Sequence, residues 1–556
     1  MGTTEAIVDV VLVGLPGSGK SVIGKRLAHR HAASFIDLDE RIESAAGRAI
    51  SEIFAADGEP AFRALERSAI ADLGPADKEP DVRRVIATGG GAVVDPRNRW
   101  ALFRGRLPVW LDGRPEVLAQ RLRRSPHVRP LISGRDSIGT IRDLASRRQR
   151  FYAAATIHQL GVAEVAGVVD AIERRLSYLV GAVADGTVLL RATTPIGRVV
   201  LGTGILVDAL AAELELLRAP RAVLVSEPGA WNAVGAGIAA GLRERGQTVV
   251  QIMLPEGEAA KRLAVVEAAA SELASLRVER TEPLVAIGGG ALGDTAGFLA
   301  ATYLRGVRFI QVPTTLVAQI DSAIGGKTGV DLPEGKNLVG AFHQPAAIVI
   351  DVATLRTLPG RQLRAALGEA VKMAALGDER LFAVLESDGD DIATGNPRGF
   401  ESGAVAEVVE RAAWAKVEVV IVDERERAAA GRIALNLGHS LGHAVEAAAG
   451  YGGLLHGEAV AYGLRAAARI GVEVGVTPPE RAARVTQLLD RLGLATEPLP
   501  YSLETVLGHL GTDKKHAGGH LRWVLPTADG IVVRDDIPSD VVERAASSLL
   551  AAGSAA

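Results

Sequence analysis

Two histidines stand four positions apart in LNLGHSLGHAVE (residues 435–446), with Asn436 before them and Glu446 behind, and a third, His456, follows in LLHGEA. On a helix, His439 and His443 lie one turn apart on one face, so spacing alone makes both of them candidate zinc ligands and polar packing the plain alternative. The chain has no cysteine, so a transition metal must sit on His, Asp or Glu. The candidates are His439, His443, His456 and, far upstream, Glu369 in LGEAVKM. Near the other end, VGLPGSGKS carries Gly14, Gly17, Ser18, Gly19, Lys20 and Ser21 in the pattern G-x-x-x-x-G-K-S. Glycines there let backbone N–H groups turn inward onto phosphate oxygens, the lysine reaches the β/γ-phosphates, and the serine hydroxyl ligates Mg²⁺.

Residues suited to a small anionic polyol follow the phosphate loop. FIDLDERIE (35–43) places Asp37 and Asp39 two apart after an apolar run, an alternation that sends both side chains from one face of a strand end; a helix N-cap is the alternative. FRALE adds Arg63 and Glu66, TGGGAV adds Gly89, Gly90 and Gly91, and HVRPL and RRQRFY add Arg129 and Arg148. A guanidinium fork binds a carboxylate bidentately, and an aspartate takes a hydroxyl hydrogen. Ten arginines between Arg114 and Arg150 need an anionic partner or a solvated face. In the second half, IGGGALGDTAGFLAATYLRG (287–306) follows a strand and opens a helix, which suits a dinucleotide or merely tight packing. Residues 313–345 then set Asp321, Lys327, Lys336 and Asn337 in a glycine-rich, loop-like context, where lysines can grip phosphate or carboxylate.

The elements that must position these groups are legible as alternating patterns. IVDVVLVG, RVIATGGG and LPVWLD read as buried parallel strands with helices between, a three-layer α/β domain over residues 1–175. Weak periodicity marks a linker at 176–190. RAVLVSE, TVVQIMLPEGE, PLVAIGGG and RFIQVPTT announce a second α/β domain over 191–354. Helical periods dominate 355–545, and a tail of small residues, 546–556, closes the chain. A length of 556 residues requires several cores. A formal net charge of −4 argues against a general nucleic-acid partner, and no apolar run reaches the ~20 residues of a spanning helix. The start of the chain lacks the basic region of a signal peptide, so the expected compartment is the cytoplasm.

With those motifs in place, residues 8–160 resemble shikimate kinase along the whole of that small fold. The resemblance implies that Asp39 binds and helps deprotonate the shikimate 3-hydroxyl, and that Asp37, with Ser21, orders the Mg²⁺ of ATP. It implies that Arg63 and Arg148, with the backbone of Gly89, Gly90 and Gly91, hold the acid and its ring. Arg129 would be the lid arginine that closes on the transferring phosphate. The segment RRSPHVRPL is shorter than in that family, which leaves Arg123 and Arg124 as alternatives on the adenine side.

Residues from about 190 to 545 resemble 3-dehydroquinate synthase through GGGALGD, DSAIGGKTGVD, GKNLVGAFHQP, GEAVKM, LNLGHSLGHAVE, LHGEAVA and DKKHAGGHLRWVLP. This resemblance decides between the histidines: it implies that Glu369, His439 and His456 ligate Zn²⁺ or Co²⁺, while His443 faces the substrate. It implies NAD⁺ against Glu258, Lys261, Gly290, Asp294, Thr314, Thr315, Lys327, Lys336 and Thr357. Lys327, Lys372, Lys416, Arg432, Asn337 and Asn436 would surround 3-deoxy-D-arabino-heptulosonate 7-phosphate, with Asp321 beside them. Arg305 would reach over from a second subunit, which implies a homodimer, and one of Lys514 and Lys515 would reach substrate. The implied chemistry is transient oxidation by NAD⁺, loss of phosphate, return of hydride, ring opening and aldol closure. Two alternatives fit the motifs less well. A P-loop switch regulating a dehydrogenase has no use for the acid pocket of Asp37, Asp39 and Arg63. A metal-stabilised assembly protein has no use for the lysine set.

Overall fold

The computed structural model describes residues 9–74, 84–103, 106–123, 137–152, 155, 157–160, 164–183, 188–194, 196–426, 431–450, 453–516 and 521–551. The chain divides into two compact units, Met1–Val200 and Leu201–Ala556. Among the described residues no helix is long and apolar enough to cross a membrane.

The first unit is built on a five-stranded sheet of β1 (Val10–Val13), β2 (Ser34–Asp37), β3 (Arg84–Ala87), β4 (Leu107–Asp112) and β5 (Ile157–Leu160) in the order β2-β3-β1-β4-β5. All its pairings are parallel. β1 is buried at every position because helices cover both faces, which is why its sequence is continuously apolar rather than alternating. Helices α1 (Lys20–Arg30) and α2 (Leu38–Ala46) follow β1 and β2, and α3 (Ile50–Ala56) and α4 (Gly58–Ala71) come next. Strand order reverses around β1, so the carboxyl ends of β1 and its neighbours open a crevice at the phosphate loop.

After helix Leu206–Leu216, the second unit carries parallel strands Arg221–Ser226, Thr248–Met253, Leu284–Gly288, Phe309–Pro313 and Ala347–Asp351, five strands of a seven-stranded sheet. Leu284–Gly288 is central and wholly buried. The loop-like reading of residues 313–345 needs correction. Lys327–Leu332 and Gly335–Phe342 pair as an antiparallel ribbon with an irregularity between Val330 and Leu332. Its glycines are not loop glycines. A Cβ on Gly329 would come within 2.8 Å of the Val339 carbonyl oxygen, so glycine is what lets the strands close. Beyond residue 355 the chain is helical except for a second small ribbon, Trp523–Pro526 with Ile531–Arg534. Helices Gly360–Ala375 and His456–Glu473 cross at Gly368 and Gly457. A methyl on either would overlap backbone of the other helix, so small residues there set how near the helices come.

Candidate active sites

The phosphate loop joins β1 to α1. Gly14, Gly17 and Gly19 all have positive φ (143°, 81° and 92°), which side-chain-bearing residues rarely adopt. Ser18 is buried within the loop. Lys20, also buried, donates from Nζ to the carbonyls of Gly14 (2.8 Å) and Leu15 (3.1 Å), so its ammonium lies across the loop. Ser21 Oγ donates to Asp37 Oδ2 at 2.6 Å. Asp37 ends β2 and caps α2, its Oδ1 accepting from the Asp39 backbone N–H at 3.1 Å. Asp39 therefore stands in the first turn of a helix, not on the strand face that its alternation with Asp37 suggested; the capping bond to its N–H turns the chain at Asp37.

The TGGG segment lies opposite. A Cβ on Gly89 would meet Asp39 Oδ1 at 2.7 Å, and one on Gly91 would meet the Arg63 guanidinium at 2.6 Å. These close approaches bring Asp39, Arg63 and the segment's backbone to one place. Arg63 is held by Glu66 (2.8 Å) and Glu59 (2.9 Å). Burial pushes the Glu66 carboxyl up, although Arg63 opposes it. Arg148 donates to the Gly90 carbonyl at 3.0 Å, and the buried Tyr152 hydroxyl donates to the same oxygen. Burial raises the Tyr152 phenol to about 12, so it stays protonated and remains a donor. Tyr152 sits in the quoted RRQRFY but its type gave no signal there. Arg129 lies outside the described residues.

In the second unit, Glu369 comes from helix Gly360–Ala375, while His439 and His456 each open a helix, His439–Ala448 and His456–Glu473. Glu369 Oε1 lies 3.5 Å from His439 Nε2 and 3.4 Å from His456 Nε2. Donors ~2.0–2.1 Å from a tetrahedral ion lie about 3.3–3.4 Å apart, so these atoms have a metal site's spacing. Glu369 is fully buried, and neither of its oxygens accepts a hydrogen bond of acceptable geometry, although the Lys372 ammonium lies against Oε2. A buried carboxylate facing two imidazole nitrogens fits a cation. Burial alone would raise Glu369; Lys372, His456 and His439 hold it well below the usual carboxylate range. His439 Nδ1 meets the Leu437 carbonyl at 3.1 Å, which leaves Nε2 for a ligand bond. The exposed His443 has its ring 5.1 Å from that of His439 and 5.9 Å from that of His456. His443, Glu446 and His456 form a second potential donor group.

Cationic side chains surround this group. Asp321 lies 2.7 Å from Lys416 and 3.5 Å from Lys372, all three ammonium and carboxylate groups being largely withdrawn from water. Burial would raise Asp321, but the two ammoniums bring it to about 2. The same burial lowers Lys416. Arg432, also buried, donates to the carbonyls of Gly325 (3.0 Å) and Glu424 (2.7 Å). Lys327 pairs with Glu426 at 2.6 Å, and Asn436 donates to the other oxygen of Glu426 at 3.4 Å. Lys336 lies between Glu446 (3.1 Å) and Glu258 (3.5 Å). Lys261 joins Asp294 (2.8 Å) to Asn337 (2.5 Å), and burial, opposed by Lys261, raises Asp294 to about 6.

Gly290 opens helix Gly290–Thr302 directly after strand Leu284–Gly288, where a Cβ would meet Ser322 Oγ at 2.8 Å. Thr314 donates its N–H to the Gly288 carbonyl (3.0 Å), Thr315 Oγ1 accepts from Ala318 N–H (3.3 Å), and Thr357 closes a turn through the Thr354 carbonyl (2.8 Å). Glu227, missed in the sequence reading, ends strand Arg221–Ser226 and accepts the N–H groups of Gly257 (2.8 Å) and Gly289 (3.3 Å). Its signal was available, an acid at the carboxyl end of a strand beside a glycine-rich turn. Arg305 stands exposed, with positive φ, on a turn after helix Gly290–Thr302, and it joins none of these ion pairs. Lys514 and Lys515 lie in helix Leu503–His516, and their side chains fall outside the described residues.

Three stretches of the chain match known protein families. Residues 16–176 match the shikimate kinase family, 237–365 the 3-dehydroquinate synthase N-terminal family and 366–516 its C-terminal family. A 3-dehydroquinate synthase from Symbiobacterium thermophilum is 44% identical over 326 residues, 58% of this chain and 88% of that protein. One from Synechococcus sp. (strain CC9605) is 43% identical over 323 residues, 58% of this chain and 86% of that protein. A 2-epi-5-epi-valiolone synthase from Streptomyces hygroscopicus subsp. jinggangensis 5008, solved with NAD⁺ and Zn²⁺ bound, aligns with TM-score 0.58 at 29% identity, covering 64% of this chain and 96% of that one. A 2-deoxy-scyllo-inosose synthase complexed with carbaglucose-6-phosphate, NAD⁺ and Co²⁺ aligns with TM-score 0.55 at 25% identity, over 64% and 97%.

Proposed function

Because the chain belongs to the 3-dehydroquinate synthase family and carries a shikimate kinase domain ahead of that part, we propose a bifunctional enzyme that runs two non-consecutive reactions of aromatic biosynthesis. The first unit phosphorylates the 3-hydroxyl of shikimate with ATP. The second converts 3-deoxy-D-arabino-heptulosonate 7-phosphate to 3-dehydroquinate and phosphate. The observation that carries the reading is Glu369, buried and facing two imidazole Nε2 atoms, with two lysines and Asp321 alongside.

In the kinase unit, the loop amides and Lys20 would take the nucleotide phosphates, and Ser21 with Asp37 would hold the Mg²⁺ that offsets their charge. Asp39 accepts the hydroxyl proton as phosphoryl transfer proceeds. Arg63 and Arg148 fork the acid's carboxylate, each already fixed by Glu66 or by the Gly90 carbonyl. Arg129 is assigned to the lid.

In the synthase unit, a Zn²⁺ or Co²⁺ ion on Glu369, His439 and His456 would supply Lewis acidity to the substrate's hydroxyls, and NAD⁺ the hydride acceptor. Lys327, Lys372, Lys416, Arg432, Asn337 and Asn436 bind the substrate's carboxylate, hydroxyls and phosphate. Asp321, whose Oδ1 faces both ammoniums, offsets the repulsion between Lys372 and Lys416. His443 faces the substrate and exchanges a proton at its imidazole. Glu258, Lys261, Asp294 and the Gly290 helix end hold the dinucleotide, and Glu227 is placed to accept from its ribose. Exposed Arg305 and one of Lys514 and Lys515 complete the acid's surroundings, Arg305 in the second subunit of a homodimer. Domain limits at 175, 190, 354 and 545 and a cytoplasmic location belong to the same reading. Two assays on the purified full chain test it, one with shikimate and ATP and one with the heptulosonate phosphate and NAD⁺. Product from each is expected, and either assay blank would remove that half.

A further inference from the structure

His456 has two carboxylate neighbours, and they address different nitrogens. Its Nε2 lies 3.4 Å from Glu369 Oε1, and its Nδ1 lies 3.2 Å from Glu446 Oε2. An imidazole that binds a cation through Nε2 carries its proton on Nδ1, so the Glu446 oxygen is the acceptor for that proton. Glu446 sits one helical turn beyond His443 and its side chain is only 8% exposed, so its orientation is set by packing. Its other oxygen is fixed too. Lys336, on the ribbon strand Gly335–Phe342, reaches Oε1 at 3.1 Å and is itself 3.5 Å from Glu258. The row Glu258, Lys336, Glu446, His456, Glu369 thus runs unbroken from the predicted dinucleotide residues to the predicted metal ligand. His439 differs: its Nδ1 meets a neutral carbonyl, that of Leu437.

We propose that Glu446 is a positioning residue for His456: it accepts the Nδ1–H, fixes the ring plane and tautomer that aim Nε2 at Glu369, and is itself anchored by Lys336. This rests on the metal site assigned above to Glu369, His439 and His456. The competing arrangement, with Glu446 as a ligand beside His443 and His456, would leave the buried Glu369 carboxylate without its cation. It would also spend His456 through Nδ1 and leave its Nε2, which now faces Glu369, without a metal. A carboxylate behind a ligating imidazole orients it and raises its basicity, and losing such a partner weakens metal binding by about 10–100-fold.

The test is a Co²⁺ titration of the chelator-stripped full chain, without nucleotide, read by the visible absorption of the bound ion. The parent, Glu446→Ala, Glu446→Gln, Lys336→Gln and His439→Ala are compared. The expected result is a loss of about 10–100-fold for Glu446→Ala with an altered spectrum. Glu446→Gln, which can still accept from Nδ1–H, should recover part of that loss. Lys336→Gln, which loosens the anchor of Glu446, should weaken binding in the same direction by less. Parent-like affinity and spectrum in Glu446→Gln and Glu446→Ala would overturn the positioning role. A loss as complete as that of His439→Ala would also overturn it, by making Glu446 a ligand. Should the alanine variant fail to fold, the glutamine variant alone decides on the same two readouts. Absence of binding by the parent would instead reject the metal site beneath this inference.

Discussion

Around Lys20 an anion cradle is assembled from eight consecutive residues, 14–21, and its donors are mostly backbone. Around Glu369 a cation site and an anion pocket are assembled from six separate segments, those of Asp321, Glu369, Lys416, Arg432, His439 and His456. The first arrangement costs less, because positive-φ glycines and a helix N-terminus present partial charges and Lys20 is the one charged group of the loop that is buried. The second withdraws Glu369, Lys372, Lys416 and Arg432 almost completely. Such burial costs several kcal/mol per ion unless partners are in place. A phosphate loop can therefore form locally, whereas the lysine–carboxylate cluster exists only once the helical part of the second unit has closed around it.

The comparison breaks most sharply at the metal. His439→Ala should lose bound metal and synthase turnover together, while His443→Ala keeps the metal and NAD⁺ binding but loses turnover. Metal analysis and NAD⁺ titration of both purified variants check this, and equal metal losses would redraw the site. Stripping the parent with a chelator that is then removed should have the same effect as His439→Ala, reversed by Zn²⁺ or Co²⁺, with shikimate phosphorylation unchanged once Mg²⁺ is resupplied.

The converse prediction concerns the local site. Asp39→Asn should lower shikimate phosphorylation ~10²–10⁴-fold with synthase turnover near the parent value. A kinase rate within a factor of two of the parent would reject Asp39 as the base.

Lys372→Met tests whether the second site is held by its own charges. It leaves Glu369 and Asp321 buried with fewer cations, and breaking such a pair costs about 3–5 kcal/mol. Denaturant unfolding of the metal-free chain should show that loss in the transition of the second unit. A smaller loss should follow Lys20→Met, because the Lys20 ammonium donates to the neutral carbonyls of Gly14 and Leu15.

The smallest effect expected is at Glu407, which is assigned to neither site. Glu407 is pushed up by burial but drawn down to about 2 by Arg380 and Arg411. Its folded value lies below its unfolded value, so its contribution is present above the unfolded value of ~4.3 and fades as pH falls toward 2. Glu407→Gln should therefore lower Tm at pH 7 and differ less from the parent at pH 3. A difference that grows on acidification would contradict the sign.

Legibility followed the same division. The phosphate loop, its flanking strand and helix, and the α/β class could be read from contiguous residues, because each is dictated by local periodicity and glycine placement. Asp39 was misplaced on a strand because the capping bond from its N–H to Asp37 overrides the two-residue alternation. The ribbon at 327–342 was misread because glycines that permit close strand contact look, by composition, like loop glycines. Glu227 and Tyr152 were passed over because what singles them out is which backbone groups they meet across the fold.

By itself, the sequence determined which chemical groups are present, in what local order, and the elements that carry the first site. It excluded thiolate ligands outright, and its two histidines four apart could serve equally as a ligand pair or as one ligand and one neighbour. Tertiary structure alone decided which nitrogens face Glu369, that Glu446 backs His456, and that Asp321 stands among Lys372 and Lys416. The reason is physical: spacing along a helix fixes only which side chains share a face. A ligand set, and the balance of a buried charge cluster, depend on distances between helices, set here by the close approach at Gly368 and Gly457.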